Sequence, residues 1–479
     1  MAAPTFSALL ADRARRAPEE PVVVDDRETL TARGLDTAAT SLAHALRRRG
    51  VGLDDTVAVS MANSVDVVIA CVGVWRAGAT PQLVDPRLRR EERAALEGLD
   101  RPAAAIGAAP VDGSTPWLPS ARVAPDAGPL PDLAASSWKA ATTSGSTGRP
   151  KIVRAAAPAR LDPERPVAAF LPRTGTQLVA GPLWHSAVFT YAFRGLLTGQ
   201  RLVVMDRFSP ENWIDRVETH RVTWGLLVPT MMARLLRLPE AQRDPARVTS
   251  LHAVLHMGAP CPPDLKRAFL AWLGPERVDE VYAGSESNGL TLIGGVDWLA
   301  HPGSVGRPIG GTRLRIRDDR GDDLPTGRPG RIWMHRGDDA AYAYVGARSR
   351  RDADGWDTLD DIGHVDADGF LFVHDRADDI VNRAGTKVAP ATVESALASH
   401  PDVVEAVAFG VRDDDLGSAV HAVVRLTDDP APLDDILAFG RSRLGPVPLD
   451  ALHVTASPLR NDAGKVRRSS LADEFAPHA

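Results

Sequence analysis

The chain has 479 residues, more than one hydrophobic core normally supports, so two or three domains are expected. Apolar residues make up 44% and charged residues 25%, as in soluble globular proteins, and the net charge of −6 speaks against nucleic acid or an anionic membrane as the main partner. No apolar run reaches the roughly 18 residues of a membrane span, and Met1 to Pro21 lacks an apolar signal core, so a cytoplasmic location without a membrane partner is expected.

Strand-like and helix-like segments alternate from early on. Thr31 to Arg49 places Leu35, Ala39, Leu42 and Leu46 on one helical face, and Gly50 stops it. Val57 to Ser60 reads as a buried strand. Ser64 to Ala77 reads as a second helix with Val68, Cys71, Val72 and Trp75 inward and Gly78 as its cap. Ala108 to Pro131, rich in Ala, Pro, Asp and Gly, reads as a loose surface connection. Strands are predicted near Ala103–Ile106, Gln177–Ala180, Leu202–Met205, Trp224–Val228, Ala253–His256 and Val278–Tyr282. Helices lie between them, from Ser209-Pro210 onward with a cap and an N1 proline, and over Pro229 to Leu238. Alternation of this length means an α/β protein with parallel sheets. After Gly303 the pattern changes: Arg313–Ile316 and Arg331–Met334 alternate around the turn Asp322–Gly327, which predicts a small antiparallel, barrel-like subdomain. The acidic run Asp375–Asp379 then sets off an α+β piece with a helix over Pro390–His400 and strands over Val403–Val411 and Ala419–Leu426. Cys71 and Cys261 supply neither a disulfide framework nor a zinc site and read as buried packing residues.

Thr142-Thr143-Ser144-Gly145-Ser146-Thr147-Gly148-Arg149-Pro150-Lys151 stands out chemically. Its glycines allow φ > 0 and close approach to a ligand, while hydroxyls and successive N–H groups form a surface that can receive phosphate oxygens. It is not a Walker A loop, because Lys151 follows a proline and no Ser or Thr comes after it. Taken alone, the composition fits a flexible surface linker equally well. Lysine is scarce, with only Lys139, Lys151, Lys266, Lys387 and Lys465 in the chain, so each position is informative.

Seven separated motifs fall in one order and resemble the adenylate-forming superfamily of acyl-CoA synthetases, peptide-synthetase adenylation domains and beetle luciferases. Thr143 to Lys151 looks like that family's phosphate loop, and Gly181-Pro182-Leu183-Trp184-His185 like its acyl-pocket motif. Gly258-Ala259-Pro260 and Tyr282-Ala283-Gly284-Ser285-Glu286 resemble its two adenine-side motifs. Asp361-Ile362-Gly363, Asp375–Asp379 and Asn461-Asp462-Ala463-Gly464-Lys465 complete the set. The resemblance spans about Phe6 to Phe475. It implies an N-terminal domain over 1–376 that binds ATP and the acyl group, and a mobile lid over 377–479 hinged near Asp378. The implied reaction has two halves: a carboxylate attacks Mg-ATP to give acyl-AMP and pyrophosphate, then the lid rotates and the thiol of CoA displaces AMP.

The resemblance also implies roles. Lys465 bridges the substrate carboxylate and the α-phosphate, and Glu286 holds Mg²⁺. Asp361 binds the ribose, Arg376 the ribose or phosphate, and Tyr282 stacks on adenine. Thr143, Ser144, Gly145, Ser146, Thr147, Gly148 and Lys151 surround the phosphates. His185 lines the acyl site, with Trp184, Phe189, Met257, Gly258 and Gly284 as pocket neighbours. Gly385 lets the pantetheine arm pass, and Lys387 meets the outgoing phosphates. The sequence departs from the family in places. Ile152 follows the loop lysine where glycine is common, Leu359-Asp360-Asp361 stands for Thr-Gly-Asp, and Pro458-Leu459 reverses the usual order. None removes a reacting group.

The runs His256–Pro263, Trp272–Arg277 and His301–Pro308 are similar to bacterial bile-acid-type CoA ligases, which implies a bulky polycyclic acid, terpenoid or steroid-like, of secondary metabolism. Small residues at Ala187, Gly258 and Gly284 leave room for it. ATP, Mg²⁺ and CoA are the expected cofactors and cosubstrates. A carrier protein's phosphopantetheine is the alternative acceptor, and a degenerate acyl-adenylate binder the alternative from another class. Oligomeric state is not legible, although homodimers are frequent among enzymes of this kind.

Overall fold

A computed structural model describes residues 3–144, 150–413, 415–460, 464, 466 and 468–475, and every count and absence below refers to these. The N-terminal body is built on two large sheets. In the first, six parallel strands run in the spatial order Val278–Ala283, Ala253–His256, Trp224–Leu227, Thr176–Val179, Arg201–Val204 and Pro21–Val24. Antiparallel strands close both edges, Leu290–Gly294 and Arg307–Pro308 on one side and Thr29–Thr31 on the other. The second sheet orders Tyr342–Val345, Pro150–Ala155, Ala140–Ser144, Thr80–Leu83, Thr56–Ser60, Ala104–Gly107 and Trp117–Leu118. Its last five strands are parallel and its first three antiparallel.

The largest core lies between these sheets, around the helices Ala32–Arg48, Val65–Arg76 and Ser186–Thr198. Val65–Arg76 is buried along nearly its whole length, as its mostly apolar sequence requires. Its charged residues lie at the two ends: Asp66 is half-buried, and the buried Arg76 guanidinium reaches Asp36 at 2.6 Å. Thr31 caps Ala32–Arg48 and Ser209 caps Pro210–His220, each side chain accepting a backbone N–H of the first turn. The expected segments thus form with end shifts of a residue or two.

Three expectations need correction. The four-stranded sheet Arg313–Arg317, Gly330–His335, Asp361–Val365 and Leu371–Arg376 is antiparallel but open, because its first and last strands do not pair. Ala108 to Pro131 is not wholly loose: Trp117–Leu118 adds an edge strand, and Leu118 and Ala121 drop into the main core. Cys71 is fully buried, whereas Cys261 is half-buried and faces the central cavity.

Leu371–Arg376 ends at the expected division of the chain, and a short turn over Ala377–Asp379 follows. Beyond it, Pro390–Ala398 and Leu433–Leu444 pack with the three-stranded sheet Val403–Asp413, Gly417–Leu426 and Ala451–Val454 into a separate small core. Arg468 ties this unit to the turn, pairing with Asp379 and Glu394 at 2.7 Å each. Arg237 of the N-terminal body donates to the Val404 carbonyl at 3.0 Å. No described helix is long and apolar enough to cross a membrane.

Candidate active site

Three sheets and the C-terminal unit meet at one cavity of about 1670 Å³. It opens at the carboxyl ends of parallel strands, where open α/β sheets place their ligand sites. Ala140–Ser144 runs into the phosphate-loop motif, Ala253–His256 into Gly258-Ala259-Pro260, and Val278–Ala283 into Gly284-Ser285-Glu286.

Glu286 sits in a tight turn closed by Ser287 N–H to the Gly284 carbonyl at 3.1 Å, with Ser287 at φ +54°. The turn aims the carboxylate across the cleft at the second sheet. There Lys151 pairs with Thr143 across the hairpin, and Tyr344 follows on the same face of the neighbouring strand. Glu286 Oε1 accepts from Lys151 Nζ at 3.2 Å and from Tyr344 OH at 2.6 Å, and Lys151 Nζ lies 2.9 Å from that hydroxyl. Burial works to raise the Glu286 carboxyl, but the Lys151 charge and the Tyr344 hydroxyl outweigh it and hold the group below the usual range. No described side chain donates to Oε2, which leaves one anionic oxygen for a hard cation: Glu286 fits a magnesium ion.

The third sheet supplies Asp361 and Arg376, direct partners across antiparallel strands. Asp361 Oδ2 accepts from Tyr282 OH at 2.6 Å, and Arg376 Nε lies 3.6 Å from Oδ1. Burial pushes Asp361 up to about 6, against the pull of Arg376 and the Tyr282 hydroxyl. Thr142 gives its hydroxyl to the Leu83 carbonyl at 2.6 Å, while Thr143 Oγ1 is buried with no partner among the described residues. Met257, Gly258 (φ +92°), Ala259 and Pro260 line the cavity opposite. From the C-terminal unit, Gly464 docks on this segment; a Cβ added there would lie 3.6 Å from Ala259 Cβ.

His185 lines the cavity and occupies the N-cap of Ser186–Thr198, its carbonyl accepting from Phe189 N–H at 2.9 Å. Trp184 and Phe189 are not brought to the cavity wall. Ser186, Thr190 and Arg194 face the cavity, so Phe189 and Phe193 turn into the core, where Phe189 packs against Trp75 and Trp138 at 5.9 and 5.6 Å. Trp184 lies beneath the Arg87 guanidinium at 5.2 Å. Gly385 (φ +86°) and Lys387 sit on the exposed hairpin Val381–Arg383/Thr386–Val388, also outside the cavity wall, whereas Asp378 lines it. Gly145, Ser146, Thr147, Gly148, Lys465 and the Ser144 side chain lie outside the described residues.

The departures from the family pattern have local causes. Ile152 is fully buried against Val84, Leu96 and Ala140, on the face opposite Lys151, so it serves the core and not the cleft. Asp360, where glycine is common, adopts φ +67° and is held there by Arg331 and by Arg350 at 2.8 Å. Sequence reasoning missed Tyr344, Lys139, Thr190 and Arg194. For Lys139 the signal was available: a scarce lysine in an apolar stretch between Trp138 and Ala140.

Parallel α/β sheets, antiparallel sheets and a small C-terminal unit around one cleft are the fold of an ATP-dependent, AMP-forming acid–CoA ligase, which takes ATP, Mg²⁺ and CoA with its acid. The model of the AMP-binding enzyme family matches residues 10–344, and that of its C-terminal domain residues 392–463. The chain belongs to this family. Sulfoacetate–CoA ligase of Cupriavidus necator is 30% identical over 98% of this chain and 97% of its own. A 4-coumarate–CoA ligase-like protein of rice is 31% identical, but the match spans 57% of this chain and about half (51%) of that protein. The o-succinylbenzoate CoA synthetase of Bacillus subtilis, solved with its acyl-adenylate, shares the fold with a TM-score of 0.81 at 23% identity, covering 99% of each chain.

Proposed function

We propose that this ligase adenylates a bulky ring-bearing acid and passes the acyl group to CoA. The reading is carried by the meeting of Lys151, Glu286 and Tyr344 with Tyr282 and Asp361 around one cavity. Asp361, once ionised, offers two acceptor oxygens to the ribose hydroxyls, and the bond from Tyr282 fixes its direction. Glu286 would hold Mg²⁺ through Oε2, and the ion when bound supplies neutralising charge at phosphate oxygens. Lys151, held beside Glu286, and the Thr143 hydroxyl face the same side of the cleft and orient the nucleotide's phosphates. Lys465 neutralises the charge that develops at the α-phosphate as the carboxylate attacks, and His185 guards the approach of the acid. Domain alternation about Asp378 then withdraws Gly464 from Ala259 and brings the hairpin with Gly385 and Lys387 to the cleft for the thioester step.

A bulky acid is supported by the small side chains on the wall, among them Ala155, Ala157, Ala168 and Ala187, beside apolar Val167 and Phe170. Pyrophosphate release from Mg-ATP with polycyclic, aryl and fatty acids, with and without CoA, tests the reading. Release with a polycyclic acid plus an acyl-CoA product is the expected result. Turnover of fatty and simple aryl acids with polycyclic acids inert overturns the substrate class. Acyl-AMP without thioester points to another acceptor, such as a carrier protein's phosphopantetheine.

A further inference from the structure

Among the cavity-wall cations that no step above uses, Lys139 and Arg194 both lie against the Trp138 ring. Lys139 immediately precedes the strand Ala140–Ser144 and is only 3% exposed. Its Nζ donates to Ser186 Oγ at 2.6 Å and to Thr190 Oγ1 at 2.7 Å. Ser186, Thr190 and Arg194 are spaced four residues apart and share one face of their helix. The Arg194 guanidinium lies 4.9 Å over the Trp138 ring, and Lys139 Nζ lies 5.1 Å from the same ring. Both cations line the cavity.

Nothing in the described protein neutralises this pair. Burial first, and then the charge of Arg194, hold Lys139 down to about 7; the field of Glu286 opposes them, but that carboxylate already pairs with Lys151. Arg194 is held by the indole face and by no hydrogen bond to a described residue; burial and then the charge of Arg336 hold its guanidinium below the usual range, against the Tyr191 hydroxyl. The Thr190 hydroxyl donates onward to the Ser186 carbonyl at 2.6 Å. Two buried cations against one ring are costly to leave without a counter-ion, and a guanidinium presents a fork matched to carboxylate. Eight residues at the helical rise carry Arg194 about 12 Å along the helix from Ser186, whose neighbour His185 marks the adenylation end.

We propose that the acid carries a second carboxylate, received on the acyl-cavity wall between Lys139, beside Ser186 and Thr190, and Arg194, about two helical turns beyond the end that His185 caps. The substrate is then a ring-bearing diacid, activated at one end and anchored at the other, and this rests on the adenylation reading above.

Biphenyl-4,4′-dicarboxylate and biphenyl-4-carboxylate form a probe pair that differs in the distal anion alone. The diacid should be preferred in pyrophosphate release by about 10–100-fold in kcat/KM, the worth of one charged hydrogen bond. R194M and K139M should bring the diacid-to-monoacid ratio close to one, mainly through KM. Equal or better use of the monoacid by the wild-type enzyme, or a ratio that survives both substitutions, overturns the proposal and leaves adenylation standing. Calorimetric binding of the two probes without ATP separates the two readings. If no acid releases pyrophosphate yet the diacid binds more tightly, and R194M abolishes that difference, adenylation fails and the distal subsite stands. If the diacid binds no better than the monoacid, the subsite fails.

Discussion

A buried lysine kept for a ligand costs the empty protein stability, and replacing it with methionine should recover part of that cost. The fall of Lys139 from 10.5 to about 7, at about 1.4 kcal/mol per unit, corresponds to roughly 5 kcal/mol of folding free energy withheld while the unfolded chain remains protonated. Lys139→Met keeps most of the volume and forfeits the donations to Ser186 and Thr190, about 1.5–3 kcal/mol together, so a net gain of about 2–3.5 kcal/mol is expected near pH 7. The sign with pH is definite. The folded group binds its proton less tightly than the unfolded one, so wild-type stability from this residue rises as pH climbs from about 7 towards 10.5, while below about 7 the full cost applies. The advantage of K139M should therefore be largest at pH 6 to 7 and shrink steadily towards pH 10. Thermal unfolding of both ligand-free proteins, followed by tryptophan fluorescence at one scan rate and at pH 6, 8 and 10, reads it as a difference in which other titrations cancel. A variant less stable than wild type at pH 6, or a gap that does not narrow by pH 10, would refute the reasoning.

Asp361, pushed up to about 6, should make nucleoside binding pH-dependent. Adenosine, which brings no phosphate titration, should bind progressively more weakly below about pH 6, and Asp361→Asn should flatten the profile. A wild-type profile flat down to pH 5 contradicts the assignment. Ile152→Ala should lower stability by about 2–5 kcal/mol in denaturant titration, because it opens a fully buried site. The KM for ATP should hold within about twofold, since the side chain points away from the cleft, and a large KM change would place Ile152 in the site. In Gly284→Ala the new Cβ would fall 2.6 Å from a Leu359 methyl and 2.7 Å from Glu286 Oε2. Displacing that carboxylate should cost roughly 100-fold in pyrophosphate release, with partial recovery in Gly284→Ala/Leu359→Ala; full activity of the single variant would show that the turn can yield.

The difference between what could and could not be foreseen follows the range of the interactions. Capping signals and helical periodicity are local, so Thr31, Ser209 and the face of Leu35, Ala39, Leu42 and Leu46 could be read directly. Motif order located Glu286, Asp361 and Lys151, but their mutual geometry depends on three sheets converging, and Tyr344 enters only because Tyr342–Val345 hydrogen-bonds to Pro150–Ala155 from far along the chain. The distal cations are harder still. Lys139 immediately precedes a central strand and Arg194 lies on a helix, and their shared cavity follows from the rotation of Ser186–Thr198 by which Phe189 faces Trp75 while Thr190 faces Lys139. Of His185, Trp184 and Phe189, only His185 lines the cavity, because side chains adjacent in sequence need not share a face. Ile152 and Asp360 make the converse argument. Each breaks the family pattern at a conspicuous place, yet one side chain fills a core and the other accepts a left-handed backbone between two arginines. A departure from a motif is therefore weighed by its partners, Ile152 by the core it fills and Asp360, on the cavity wall, by the two arginines it holds, while among the wall residues outside any motif Lys139 and Arg194 bear most on the acid.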